Sequence, residues 1–478
     1  MSDDSLRHAL ARTLRVAHLL GLVNLLGNGS VRADSETILV TPGRAPGSPP
    51  GNRLTAADVL LVGLDGQVVE GKFPHPRDLA VHLAIYRARP DVRAVLHTHQ
   101  PEMLAFGLAD RQLLPLAHQG ADLIQSPLPR FGRGELITTM AQADALAQVL
   151  GPAPACQLPC HGVVIVGSEL VEALTRAHQL EELARMNRLA ASMGNVKTVS
   201  LGQATRIASQ KAGIEDFRNF YFSLDPGPSP PPEPKPSPDT VEGVKELVTT
   251  ACHMLRRFGV VQHLEHVSHR LPKQDRFVIS PRCDLGRVRV EEMATVDMSG
   301  NWVDGPLLPP PFRFLHRDIF LARPDVRAIV HTHETYGRLY PAAGLSVPPV
   351  HRTGAEIARY KLPVYDVPDL IFDEEPRRAV VTLLGQGPIV HERAHGTDYV
   401  AATIEEATAA AIHREWLAEL HHRASQLGNP KVLPESVLAK LSEESPSPAE
   451  WWDYWTGLTL PTRPESAQGA DGNILGGE

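Results

Sequence analysis

Cysteine is scarce in this chain and aromatic residues are few, and each shortage narrows what the protein can be. Four cysteines among 478 residues (Cys156, Cys160, Cys252, Cys283) cannot make the disulfide framework of a secreted scaffold, so a reducing, cytoplasmic setting is expected. Cys156 and Cys160 stand beside a histidine, but with no second cysteine pair they read as ordinary thiols rather than metal ligands. Long hydrophobic runs are missing too. The apolar stretch 16–26 is far too short to span a bilayer and carries no signal-peptide cleavage pattern, so no membrane association is expected. Nor is there a basic block: 47 Lys and Arg against 55 Asp and Glu give a net charge of −8, which argues against nucleic acid as a partner. What remains is a soluble globular chain acting on a small molecule, too long for a single core and sized for two domains.

An internal repeat organises the rest. The segment 88–99, ARPDVRAVLHTH, recurs at 322–333 as ARPDVRAIVHTH, a shift of 234 residues with only apolar exchanges. The same shift carries His82 to His316 and His161-Gly162 to His395-Gly396, and it places His118 within one residue of His351. The aromatic cluster Phe217, Phe220, Tyr221 lands on Trp451, Tyr454, Trp455. Between the copies, 226–238 is dominated by proline and reads as an extended spacer. The expected organisation is therefore a first domain over 1–225, a linker over 226–238, a second domain over 239–460 and a disordered tail over 461–478.

Within each copy, apolar periodicity predicts an opening helix (6–26 and 241–258) and a short strand (36–40 and 277–279). A strand pair comes next, around Asp65-Gly66 or Ser299-Gly300. A helix over 79–89 leads into the His-Thr-His strand, and a buried strand over 163–166 precedes a long helix over 170–193. Strands flanked by helices indicate α/β layers.

Side chains two apart on a strand face the same way, so His97 and His99 make a two-point clamp for a divalent metal. His161, ahead of a glycine at the start of an apolar strand, is the third ligand expected to close the tripod and leave a position open. A lone His-x-His is more often a surface pair. Recurrence of the whole set as His331, His333 and His395 argues against that here.

The HTH segment after RPDV, preceded by HLAIY and followed far downstream by HGVV, resembles the class II aldolase/adducin family, as does the early segment GNGSVR at 27–32. The likeness covers nearly all of the first copy and, more loosely, most of the second. It implies two tandem α/β/α domains, each with a central, mostly antiparallel sheet flanked by helices. It implies that His97, His99, His161 and His331, His333, His395 bind metal, Zn2+ first, with Fe2+ or Mn2+ as alternatives. It also implies a homodimer in which four domains form a pseudo-tetrameric ring. The activity implied is that of a metal-dependent lyase, an aldolase or decarboxylase, working through a metal-stabilised enediolate.

Several positions depart from the family's sugar-phosphate aldolases. Their catalytic glutamate aligns with Asp78, which keeps a carboxylate, and with Phe312, which cannot take a proton, so the second copy is expected to be partly degenerate. The rival role for Asp78 is to cap the helix that opens at Leu79. Asn28, Thr41 and Gly43 match positions in loops that cradle a phosphate, but the usual serines are replaced by Pro76 and Arg77, and in the second copy by Pro310 and Pro311. Arg77 would suit a carboxylate as well as a phosphate. A tyrosine that family aldolases contribute across a subunit boundary aligns with Leu128 and Leu362. His118 is a candidate substrate-binding residue, although a satisfied structural histidine is the commoner fate of such a loop residue. The aromatic clusters around Tyr221 and Trp455 are expected to anchor a C-terminal helix, with a lid over a neighbouring site as the alternative. The substrate class expected is a small, non-phosphorylated hydroxy- or oxo-carboxylate. Two rival readings are an iron(II)-dependent oxygenase on the same fold and a non-catalytic, adducin-like interaction protein.

Overall fold

A computed structural model describes residues 2–458 except 118, 133, 195, 201, 205, 207–212, 232–233, 263 and 369, and except the side chains at 442 and 443. His118 and the tail over 461–478 therefore lie outside the described residues.

The first copy folds as a seven-stranded sheet: β1 (Asn28–Arg32), β2 (Thr37–Val40), β3 (Leu60–Gly63), β4 (Val68–Glu70), β5 (Ala94–Thr98), β6 (Ala155–Leu158) and β7 (Gly162–Gly167), in the order β4-β3-β2-β1-β5-β7-β6. Every pairing in it is antiparallel. The second copy repeats the plan with β8 (His266–Arg270), β9 (Arg276–Ile279), β10 (Ala294–Asp297), β11 (Trp302–Asp304), β12 (Ala328–Thr332), β13 (Val364–Tyr365), β14 (Ile389–Glu392) and β15 (Thr397–Ala401). Its order is β11-β10-β9-β8-β12-β15-β14-β13, and β13 adds one parallel pair at the edge. The central strands β5 and β12 are buried along their whole length, a three-residue apolar run and the His-Thr that follows it alike, because helices cover both faces.

Helices cover both faces of each sheet. On the first, Asp3–Leu19, Pro101–Leu108 and Leu170–Ala190 pack one side, while Leu79–Ala88 and Met140–Leu150 pack the other. The opening helix stops at Leu19 instead of running to residue 26, because Gly21 takes a left-handed conformation (φ 70°) that ends the turn. The residues after it lead into β1. The long helix is likewise shorter than expected, ending at Ala190. No helix among the described residues is long and apolar enough to cross a membrane.

The two copies share a core. Leu417, Ala418 and Leu433 of the second belong to the same buried cluster as Leu10, Leu96 and Ile165 of the first. Polar ties reinforce it: Arg423 and Arg188 both bind Glu102, and Lys431 binds Asp110 at 2.8 Å. The C-terminal helix Pro448–Thr456 reaches back across the junction. Tyr454 meets His18 Nδ1 at 3.1 Å, Glu450 pairs with Arg44 at 3.0 Å, and Arg53 donates to the Asp453 carbonyl at 2.8 Å.

Candidate functional site

The strand β5 ends at a three-way convergence. His97 lies on β5, His99 one residue past its end, and His161 in the tight connection from β6 to β7. Their ligating atoms lie within 4.8 Å of one another. The connection is built for that approach. Cys160 adopts a left-handed conformation (φ 64°), and its repeat counterpart Ala394 does the same (φ 62°). A Cβ on Gly162 would fall 2.5 Å from the Thr98 carbonyl and 2.9 Å from His97 Nε2. Glycine comes directly after the third histidine because the other two rings occupy that space. Gly396 meets Thr332 and His331 in the same way.

The rings are held in ligand form. His97 Nδ1 donates to Asp78 Oδ2 at 2.5 Å, and His99 Nδ1 donates to Asn24 Oδ1 at 3.1 Å, so both Nε2 lone pairs are free for a cation. His97 Nε2 and His161 Nδ1 are buried with no protein partner. Burial, followed by the neighbouring imidazoles, pushes His99 and His161 well below the usual histidine range, which keeps both neutral. Three converging imidazoles, two of them with a buried, unpartnered nitrogen, fit a divalent metal.

Asp78 is the N-cap residue of its helix, yet its side chain makes no capping bond. It is spent on the site. Asn28 Nδ2 donates to both its oxygens, at 2.9 and 3.2 Å, alongside the His97 bond. Burial would raise this carboxyl, but the His97 hydrogen bond, with His82 and Asn28, holds it below the usual carboxylate range. Asp78 also sets the polarity of a relay. Asn28, donating to Asp78, must accept His82 Nε2–H at 2.8 Å, and His82 Nδ1 then accepts from Ser30, which is 2.9 Å from Tyr86 Oη. Asn28 thus pairs directly across from His97 in the sheet and serves the site through Asp78.

The triad opens on a cavity of about 470 Å³ between the two copies. Gly43 and Arg77 line it as expected from the sequence, and a Cβ on Gly43 would overlap the His75 carbonyl at 2.1 Å. Thr41 does not line it. Its hydroxyl accepts the Gly29 amide at 3.2 Å and ties β2 to β1, so the expected substrate contact is a structural one. The far wall belongs to the second copy: His351, Arg352, Tyr360, His413 and Trp451. Sequence reasoning missed Tyr360, which stands two residues before Leu362, the position that aligns with the family's tyrosine. His351 is a buttress rather than an acid. Its Nδ1 accepts the Thr353 amide at 3.1 Å, so Nε2 carries the proton and donates to the His161 carbonyl at 3.1 Å. Burial pushes its imidazole down to about 4, so it stays neutral at pH 7. Trp451 makes the terminal helix both an anchor and a wall of the cavity.

The second triad is dressed differently. His331, His333 and His395 converge with Nε2–Nε2 separations of 3.2 Å for both the His331–His333 and His333–His395 pairs. Ligands about 2.0–2.1 Å from a tetrahedral ion stand about 3.3 Å apart, so this set also fits a metal. Phe312 takes the place of Asp78, and its ring stacks 4.8 Å from His395 and 5.5 Å from His331. The lost carboxylate is replaced from another direction. Asp398, paired across from His331 in the sheet, accepts its Nδ1–H at 3.0 Å, and Glu392 does the same for His395. The first copy has Val164 opposite His97. Burial and the neighbouring Asp398 push Glu392 well up, whereas His331 holds Asp398 down against burial, so Asp398 is the charged member.

Comparison with known proteins agrees with the geometry. The sequence profile of the family described as Class II Aldolase and Adducin N-terminal domain matches residues 8–187 and again 246–422. The chain is 31% identical over 202 residues to 3,4-dihydroxyphthalate decarboxylase of Rhodococcus jostii (strain RHA1), a match covering 40% of this chain and 82% of that protein. It is 29% identical over 192 residues to L-fuculose phosphate aldolase of Methanococcus vannielii, covering 38% of this chain and 97% of that protein. Among solved structures, an aldolase II superfamily protein from Pseudomonas syringae superposes with a TM-score of 0.41 at 23% identity, over 46% of this chain and 92% of that one.

Proposed function

This chain belongs to the class II aldolase and adducin family, with the family domain present twice in tandem, and from that premise we propose a metal-dependent carbon–carbon lyase whose working site is the first triad. The named relatives are decarboxylases and aldolases, and this chain is a lyase of that kind. They lend no support to the oxygenase alternative, and a purely structural, adducin-like role has no use for two intact triads. The substrate we propose is a small, non-phosphorylated hydroxy- or oxo-carboxylate, with decarboxylation of a hydroxylated aromatic acid as the leading reaction. One observation carries this reading. Among the described residues, only the first triad combines an Asp78-oriented histidine with the junction cavity, and that cavity offers Arg77 where a phosphate cradle would place serines.

Within this site His97, His99 and His161 would hold the ion, with zinc the natural choice for three imidazoles and Fe2+ or Mn2+ the alternatives. A divalent ion there supplies a Lewis acid that takes up negative charge on substrate oxygens as the carbon–carbon bond breaks. Asp78 keeps His97 in the tautomer that presents Nε2, which makes it a positioning residue first. Leu26, Ile357 and Trp451 give the cavity apolar walls that exclude water and suit a flat ring. Tyr360, which lines the cavity, is the residue we assign to return a proton to carbon. The second triad would hold a metal beside Phe312 without turnover.

We also propose the organisation set out from sequence, with repeats over 1–225 and 239–460, and a homodimer that closes four domains into a ring. Repeat-equivalent surfaces support the dimer. Leu420 and Leu427 are 2% and 9% exposed, and Gly428 packs on Ala109 of the first copy. Their counterparts Met186 and Met193 are 41% and 74% exposed, as a face awaiting a second chain would be. The test of function is direct: carbon dioxide release from a panel of hydroxylated aromatic acids, and retro-aldol cleavage of short hydroxy acids, by zinc-loaded protein. Absence of both activities would overturn the reading.

A further inference from the structure

The junction cavity holds a charged pair that the proposed chemistry does not use. Arg352, from the second copy, lines the cavity with its side chain 8% exposed, and its Nη2 is 2.5 Å from Glu444 Oε2. Glu444 ends the short helix Leu441–Glu444, and Arg77 from the first copy donates to its carbonyl at 3.3 Å. Residues 444–446 thus lie along the cavity, held by two arginines from two repeats. A buried guanidinium is costly to leave unpaired, and Glu444 meets that need within the chain. The repeat makes the arginine informative. The loop His351-Arg352 corresponds to His118-Gln119, so the charge is present on the copy of the loop that faces the Asp78 site and absent from the other. Glu444 corresponds to Gln210, so the carboxylate that matches the arginine is also present in one copy only. Arg352 follows His351, whose Nε2 donates to the His161 carbonyl at 3.1 Å, so it stands beside the first triad.

We propose that Arg352 is the anion anchor of the first site: it binds a second carboxylate of the substrate in exchange for Glu444, so the enzyme selects diacids over monoacids. The guanidinium fork suits a carboxylate in two-pronged fashion. Glu444, partly exposed, is free to swing into solvent when it is displaced. One acidic group of the ligand then lies at the triad end of the cavity and the other at Arg352. This specificity rests on the reading of the junction cavity as the substrate site.

The test is calorimetric titration of the zinc-loaded full chain with the three benzenedicarboxylate isomers and with benzoate. The natural chain is expected to bind at least one isomer about tenfold more tightly than benzoate, as a charge-assisted pair allows. Arg352→Gln is expected to erase that preference, and Arg352→Lys, which keeps charge but not the fork, to retain part of it. Glu444→Gln, a change on a partly exposed side chain, is expected to tighten binding several-fold by removing the competitor. A preference that survives Arg352→Gln, or none in the natural chain, overturns the anchor. Titration is independent of turnover. An Arg352-dependent preference in a protein with no lyase activity would leave the anchor standing and remove the reaction class, and the converse would do the opposite.

Discussion

Asp78→Asn probes the feature on which the two copies differ most. The substitution keeps the shape and removes the charge, and the surrounding donors determine its cost. In the native site both Asp78 oxygens accept, from His97 Nδ1 at 2.5 Å and from Asn28 Nδ2 at 2.9 and 3.2 Å. An asparagine that turns its oxygen to His97 presents its own amide to the Asn28 amide, donor against donor. Relief requires Asn28 to flip and the His82–Ser30–Tyr86 relay to reverse. Either outcome is worth about 1–3 kcal/mol at a buried site. The loss falls on His97, so metal affinity is expected to drop by about 10- to 100-fold, as for other changes to the groups behind metal-ligating histidines. Competition with a fluorescent zinc chelator measures this directly. Turnover at saturating metal separates the remaining roles: a positioning residue leaves kcat within about tenfold, whereas a proton carrier would lower it by about 10²–10⁴-fold. Unchanged zinc affinity in Asp78→Asn would refute the reasoning, because the shortest bond in the site would then have no consequence for the ligand it orients.

Removing a ligand from each copy should give unlike results. His97→Ala is expected to abolish activity, while His331→Ala lowers bound metal from two ions to one per chain and lowers the melting temperature but costs less activity; equal losses of activity would show that the copies are not so divided. Tyr360→Phe should lower kcat with little change in substrate binding, and full turnover in that variant would remove the tyrosine from the mechanism. The metal-free protein should weaken in acid. Burial pushes His18 and His413 down to about 3 and His269 and His351 to about 4, so below about pH 6.5 the unfolded chain binds protons that the folded chain refuses. Stability is therefore full above pH 6.5 and lost as the pH falls, by about 2 kcal/mol per histidine at pH 5. A urea midpoint that does not change between pH 7 and pH 5 would contradict this. Met193→Lys should produce monomers in light scattering if the exposed methionine face is where a second chain docks; a stable monomer in the natural chain would remove the ring altogether.

Much of the architecture was legible because it rests on periodicity and repetition. The buried central strands, the His-x-His clamp and the glycine after the third histidine stem from strand alternation and close approach, and all recur at one offset. Helix ends were less legible: the opening helix looked apolar to residue 26, but Gly21 breaks the backbone before the apolar pattern ends. Thr41 was misplaced for a different reason. A threonine in a phosphate-cradling position and a threonine that ties two strands look the same until the Gly29 amide is seen to occupy its hydroxyl. The far wall of the cavity was hidden because alignment within a repeat says nothing about which loop of the other repeat lies opposite. Tyr360, Arg352 and Trp451 enter the site only through the packing of one copy on the next.

That packing also gives a physical reason for the second copy to keep its fold while losing Asp78. Its loop at 351–360 and its terminal helix form half of the first cavity, and His351 holds the main chain of a first-copy ligand. A disturbance in the second sheet would therefore be felt at His161. The second triad lies at the centre of that sheet, on β12 and beside β15, where buried His331 and half-buried His333 and His395 turn their Nε2 atoms toward one another. Losing the carboxylate on the helix would have left His331 Nδ1 unpaired. Asp398, placed across the strand instead, supplies the acceptor, and Phe312 stacks on the rings. A triad relieved of catalysis but still required for folding would be expected to look like this, with more carboxylates behind its ligands and an apolar ring over them.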